Sequence, residues 1–226
     1  GPGSVGQFEL GLALARGWLC EAAEPSAARP CGACASCHLM GARLHPDFHL
    51  LIPEALRQSL GWGDDEAGEG GSAGKAKPSK EIRVEAVRAA IEWGQKTSSR
   101  GRGKLILIHP ASAMNTVAAN ALLKTLEEPA GSLRLLLTAN DPEALLPTVR
   151  SRCQRLRLDL PPRAQSLAWL AEQGVEDPKV LLAAAGGQAP EALALQADGI
   201  DSAAWRRLPQ AVRRGSAAAV ADWPLP

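Results

Sequence analysis

The chain has 226 residues, 46% of them hydrophobic, enough for one large domain or for one medium and one small domain. A formal net charge of +1 excludes a protein that grips nucleic acid by a broad basic surface, so any such contact is local or shared with a partner. No run of about 18 apolar residues is present, which excludes a membrane-spanning helix.

The start, Gly1-Pro2-Gly3-Ser4, has neither Met nor a signal-peptide pattern and reads as a tag scar or the cut edge of a longer chain. Gly1 and Gly6 stand at the two glycines of the phosphate-loop spacing G-x-x-x-x-G-K-[ST], but Gln7 and Phe8 fill its two chemical positions. Such a loop needs Lys to neutralise phosphate and a hydroxyl to hold magnesium, and neither is supplied. A chance match of two glycines in a Gly-rich leader is the alternative. The spacing of Leu10, Leu12, Leu14 and Trp18 among alanines predicts a core helix from Phe8 to Leu19.

Cys20, Cys31, Cys34 and Cys37 then form C-x10-C-x2-C-x2-C, a spacing at which four thiolates close a tetrahedron around zinc. The chain carries no exporting signal, which argues against disulfides, and unliganded thiols would not explain three cysteines so close together. His38 replacing one thiolate is the lesser alternative. A tetrahedral site of this kind leaves no open position for water, so the metal is structural.

Asp47 to Ile52 reads as a strand, and Gly61 to Lys80 has the Gly, Ser and charge content of a flexible insert. A helix is predicted from about Val84 to Gly94. The basic, Gly-rich stretch from Lys96 to Lys104 reads as a solvated loop, with phosphate contact as the alternative. Leu105-Ile106-Leu107-Ile108 is a buried strand and runs into His109-Pro110.

An amphipathic helix follows Asn115, with Leu122, Leu123 and Leu126 at helical spacing, and stops at Glu127-Glu128-Pro129 because proline cannot continue the ladder. After a turn at Gly131, Leu133 to Ala139 is nearly continuous apolar sequence and reads as a strand covered on both faces. Thr138 and Asn140 fall at its carboxyl end, where open α/β sheets meet ligands; capping a turn is the plainer role. Gln154 to Leu158 alternates polar and apolar residues and reads as a final strand. Pro161-Pro162 marks the best domain boundary. Three short helices are expected beyond it: Arg163 to Gln173, Pro178 to Ala185 with Asp177 as N-cap and Gly186-Gly187 as the stop, and Pro190 to Gln196. A last helix is expected over about Ala203 to Arg214, and the end at Ala217 to Pro226 reads as an unfinished element of a fragment.

The run Ala-Asn-Ala-Leu-Leu-Lys-Thr-Leu-Glu-Glu-Pro over 119–129, its hydrophobic strand, and Ser151-Arg152-Cys153 resemble the clamp-loader branch of the AAA+ proteins. Within that branch, the four-cysteine module just after the phosphate-loop helix resembles the delta-prime group of subunits of bacterial DNA polymerase III. The likeness has specific motifs from about Gly1 to Asp159 and weaker ones to about Ala197.

The resemblance implies an α/β fold: an AAA+ parallel sheet flanked by helices with a small zinc module over 1–160, and a small all-α lid over 161–200. The start of a C-terminal collar domain is implied over 201–226. It also implies three departures from a working ATPase: Gln7 and Phe8 at the phosphate loop, His109-Pro110 where an acidic pair would bind magnesium, and Pro190-Glu191 near the nucleotide-sensing Arg. His109 as a general base is the lesser alternative. By resemblance Arg152, with Ser151 and Cys153, acts in trans as an arginine finger on a neighbour's ATP. Without that context Arg152 is one of several surface arginines beside Arg150, Arg155 and Arg157, and Cys153 is a small buried residue.

The implied partners are the gamma or tau ATPase subunits and the delta subunit, with the sliding clamp and primed DNA reached through the complex. The complex belongs to a DNA-directed DNA polymerase, a nucleotidyltransferase of the bacterial cytoplasm. The expectation is a subunit that binds structural zinc but no ATP. A divergent but active AAA+ ATPase and a stand-alone zinc-module DNA-binding protein are the alternatives.

Overall fold

A computed structural model describes residues 6–22, 28–62 and 77–213, with the side chains of 208–212 left out of the description. Gly1 to Ser4, most of the expected insert and Ala217 to Pro226 lie outside the described residues. Two compact units divide the chain, one spanning Gln7–Arg155 and one beginning at Leu156, ahead of Pro161-Pro162.

In the first unit the elements run α1 (Gln7–Leu19), α2 (Ala35–Gly41), β1 (Phe48–Leu51), α3 (Glu54–Arg57), α4 (Val84–Gln95), β2 (Leu105–Ile108), α5 (Thr116–Glu127), β3 (Arg134–Leu137) and α6 (Pro147–Arg150). The three strands form a parallel sheet in the order β1-β2-β3, with Phe48 opposite Leu105 and Leu105 opposite Arg134. Central β2 is buried throughout. Its side chains alternate between faces. Leu105 and Leu107 pack with Phe8, Ala15 and Leu19 of α1, while Ile106 and Ile108 pack with Val87 and Ala90 of α4 and Ala118 and Leu122 of α5. Each such side chain contributes roughly 1.5–3 kcal/mol by leaving water. Gly11 lets α1 approach closely, since a Cβ there would meet Leu107 at 3.0 Å. The Asn115 side chain caps α5 by accepting from the Ala118 N–H at 3.0 Å.

Three sequence expectations meet the fold here, and one of them fails. The run at β3 is covered on both faces as read, with Leu135 and Leu137 packed on the α4–α5 side and Leu136 on the α1 side, although β3 ends the sheet among the described residues and its side chains are only half-buried. Gln154 to Leu158 forms no strand. Alternation marks a half-buried strand only where a partner strand exists, and Leu156 is exposed with none described beside it. The stretch from Lys96 to Lys104 is a loop exposed at Lys96, Thr97, Ser99 and Gly101, as read, but it also wraps a buried acid.

That acid is Asp47, at 0% exposure just ahead of β1. Its carboxylate accepts from the Ser98 hydroxyl at 2.9 Å and from the backbone N–H groups of Ser99 and Arg100, each at 2.8 Å. The buried Lys104 ammonium lies 3.8 Å away and also sits over the Trp93 ring. Burial alone would raise the Asp47 pKa, but these donors and the ammonium hold it below the ordinary carboxylate value.

In the second unit α7 (Arg163–Glu172), α8 (Pro178–Ala184) and α9 (Ala189–Ala197) enclose Leu170, Val175, Leu181, Leu182, Ala185 and Ala192, and α10 (Ser202–Arg213) follows. Gly186 and Gly187 end α8 with positive φ values of 61° and 88°. Asp177 precedes α8 without making the expected side-chain cap, because its carboxylate pairs with Arg206 of α10.

Removing the Asp47 carboxylate leaves Lys104 and three donors unmatched in the interior. Asp47→Ala is expected to cost about 3–5 kcal/mol, the range for breaking a buried ion pair on one side, read as a lower urea midpoint. A loss below about 1 kcal/mol, the value of an exposed pair, would contradict the role given to this carboxylate.

Candidate functional site

Gly6 has a φ of 87° and leads into α1, whose first residue is Gln7. Phe8 turns inward and is buried. Its ring packs on the His109 imidazole with centroids 4.7 Å apart at 35°. His109 follows β2 directly, and its Nδ1 lies 2.8 Å from the hydroxyl of Thr138, the residue that follows β3. The same hydroxyl is 3.3 Å from the Ile108 carbonyl. A proton on Nδ1 satisfies the whole chain, with imidazole donating to hydroxyl and hydroxyl donating to carbonyl.

Phe8, His109 and Thr138 therefore converge, and what they build is a packed ring pair closed by a hydroxyl. Burial holds the His109 pKa below its ordinary value, against the attraction of Glu9, and keeps the ring neutral near pH 7. Such a cluster offers no cation to a phosphate and no carboxylate to a metal. Asn140 is exposed. Pro190 and Glu191 lie in the first turn of α9. Gly1 lies outside the described residues.

Arg152, after α6, is held by its own chain. Its Nε donates to Oε1 of Glu127 at 2.5 Å, and a terminal nitrogen pairs with the same oxygen. Nη1 donates to the Thr148 carbonyl at 2.9 Å and contacts the Ser151 hydroxyl at 3.4 Å. The guanidinium is thus fixed in direction while remaining partly open to solvent. Cys153 is half-buried against the core below α5, and burial raises its pKa. Sequence reasoning took Glu127 only as part of a helix end. Its spacing to Arg152 carried no signal, because the loop that brings them together includes a strand.

The sulfurs of Cys20, Cys31, Cys34 and Cys37 all lie within 4.8 Å of one another, close enough to hold a metal ion. Cys20 to Cys34 is 4.0 Å and Cys31 to Cys37 is 3.9 Å, against about 3.8 Å between sulfurs on a tetrahedron with metal–sulfur bonds of about 2.3 Å. Backbone N–H groups point at these sulfurs: Cys31 at Cys20, and Glu21 and Cys37 at Cys34, each at 3.4 Å. Burial opposes ionisation of Cys20 and Cys34, yet the N–H bonds bring both pKa values below that of an ordinary thiol. The N–H groups of Ala33 and Cys34 do the same for Cys31. Cys37 is pushed up to about 12, first by burial and then by the neighbouring sulfurs. Three thiols are shifted toward the anion and the fourth away from it, and four sulfurs at this spacing are a donor set that suits a soft divalent cation.

The cysteine loop is tied to the core by Glu21, whose carboxylate accepts from the Arg100 Nε at 2.7 Å and from the Ser36 N–H at 3.4 Å. Arg100 is the residue whose backbone N–H binds Asp47.

A family model described as "DNA polymerase III, delta subunit" matches residues 1–162. The chain belongs to this family. It is 38% identical over 204 residues to "DNA polymerase III subunit delta'" of Pseudomonas aeruginosa, covering 88% of this chain and 55% of that protein. It is 34% identical over 194 residues to the protein of the same name from Escherichia coli, covering 84% and 51%. A more distant likeness, 30% over 158 residues, joins it to "DNA polymerase III subunit tau" of Salmonella typhimurium, covering 70% of this chain and 20% of that protein. The delta-prime resemblance read from the sequence is borne out, and the chain spans about half the length of the curated delta-prime relatives it matches.

The neutral His109 gives a pH test. Its pKa is lower in the fold than in the unfolded chain, so the unfolded chain binds more protons below about pH 6.5, and stability falls as pH drops through that value. His45, also lowered chiefly by burial, adds to the same slope. The urea midpoint is expected to fall between pH 7.5 and pH 5.5, and His109→Asn to flatten that fall while the His45 share persists. An unchanged slope in the variant would contradict a neutral, buried His109.

Proposed function

We infer that this chain is a non-hydrolysing, delta-prime-like subunit of the clamp loader of bacterial DNA polymerase III, which supports ATP-dependent loading of the sliding clamp in the bacterial cytoplasm. The observation that carries the reading is the Phe8–His109–Thr138 cluster. The positions at which a phosphate loop and a strand end would handle nucleotide and magnesium are filled here by two packed rings and a hydroxyl committed to them. In this reading 1–160 is an AAA+ core, 161–200 a helical lid, and 201–226 the start of a collar domain.

Arg152 is the working part, acting as an arginine finger at the ATP site of an adjacent gamma or tau subunit. A planar, permanently charged guanidinium suits charge developing on a transferring phosphoryl group. Glu127 and the Thr148 carbonyl support the reading by limiting the conformations available to Arg152, so little entropy remains to be lost on engagement. The delta subunit, the clamp and primed DNA are the remaining partners. Zinc is the metal proposed for Cys20, Cys31, Cys34 and Cys37; their four thiolates would hold it, and it would supply structural cross-linking only.

In a complex reconstituted with gamma or tau and delta subunits, Arg152→Ala is expected to leave this chain folded and assembled. The ATP site facing it is expected to slow by about 10³-fold or more, the range for loss of such a finger. An unchanged ATPase rate in the assembled variant complex would overturn the finger assignment.

A further inference from the structure

The basic turn ahead of β2 divides its charges. Arg100 and Lys104 point inward to Glu21 and Asp47. Arg102 instead lines a cavity of about 330 Å3 together with Arg29, Arg134, Leu14, Gly17 and Trp18. Arg29 comes from the cysteine loop, Arg134 opens β3, and Trp18 lies in the last turn of α1. Since Arg134 begins a strand whose far end leads to Thr138, the cavity lies at the opposite end of the parallel sheet from the Phe8–His109 stack.

Three guanidiniums here share one small concavity, and none is ion-paired with a carboxylate among the described residues. Among the described residues, no acidic residue lines the cavity. By contrast Arg100 pairs with Glu21, Arg150 with Glu143 and Arg152 with Glu127. Like charges gathered without a counter-charge repel one another and raise the local concentration of anions.

Two of the three are also fixed. Arg29 donates to the Ala22 carbonyl at 2.8 Å, and Arg134 donates to the Arg102 carbonyl at 3.3 Å while lying over the Trp18 ring at 5.8 Å. Each guanidinium keeps further N–H groups for a ligand. Trp18 is 38% exposed, so an indole is available to a second planar group beside the cations.

Oriented guanidiniums beside an open aromatic ring are the chemistry of a single-stranded nucleic acid site: phosphates meet the cations and a base stacks on the ring. The volume admits a nucleotide rather than a bare phosphate alone. We propose that Arg29, Arg102, Arg134 and Trp18 form a local binding site for single-stranded DNA. The near-neutral chain as a whole is compatible with this, because the charge is concentrated at one place. The site is independent of the finger assigned to Arg152.

The test is fluorescence anisotropy of a labelled oligothymidylate titrated with the chain at rising salt. Saturable binding is expected, weakening with salt at a log–log slope of about −2 for three phosphates on a single strand. Arg29→Ala, Arg102→Ala and Arg134→Ala are each expected to weaken binding severalfold and to reduce that slope by about 0.7. Trp18→Ala is expected to weaken it about fivefold or more without changing the slope. Arg88→Ala, an exposed cation of α4 outside the cavity, is the control and is expected to change nothing. Arg102→Lys, which keeps the charge, reports on binding if the alanine variant folds poorly. No binding, binding that ignores all these variants, or displacement by tripolyphosphate as readily as by unlabelled oligonucleotide would each overturn the proposal.

Discussion

The first unit depends on one buried carboxylate. Asp47 stands where the chain enters β1, and it draws in the backbone of Ser99 and Arg100, the Ser98 hydroxyl and the Lys104 ammonium. A carboxylate in that position would be costly to bury alone. Matched by a cation and three donors, it fixes the turn that feeds β2. Because the same turn carries Arg100, the order passes through Glu21 to the cysteine loop and to Ser36. Central strand, turn and cysteine cluster are thus one connected structure.

The sheet positions chemistry at both of its ends. At the carboxyl ends of β2 and β3, His109 and Thr138 face Phe8 and form a closed, neutral cluster. At the amino end of β3, Arg134 joins Arg29 and Arg102 around an open cavity. Beyond α6, Arg152 is held by Glu127 with its charge still partly exposed.

Much of this was legible in the sequence for identifiable reasons. The branched run at Leu105–Ile108 has a single reading because burial on both faces needs no alternation, and the cysteine spacing signals a cluster because only metal or disulfide chemistry rewards it. Where the sequence misled, the missing information was a partner distant in the chain. Gln154 to Leu158 alternates as a strand does, yet no neighbouring strand is described to pair with it. Lys96 to Lys104 is exposed as read, but its grip on Asp47 was hidden because that acid lies far earlier and reads only as the start of a strand. Asp177 looked like a helix cap, but a cation on α10 claims its carboxylate. The Phe8–His109 stack joins residues that no periodicity relates, and the Glu127–Arg152 pair is likewise a product of the fold alone.

Calorimetry of the isolated chain with ATP and magnesium, with metal content determined on the same sample, addresses the closed nucleotide positions directly. The proposed function predicts no binding heat together with about one zinc per chain. Micromolar ATP binding by metal-loaded chain would mean that backbone around Gly6 still cradles phosphate, and the reading of a nucleotide-silent subunit would be contradicted.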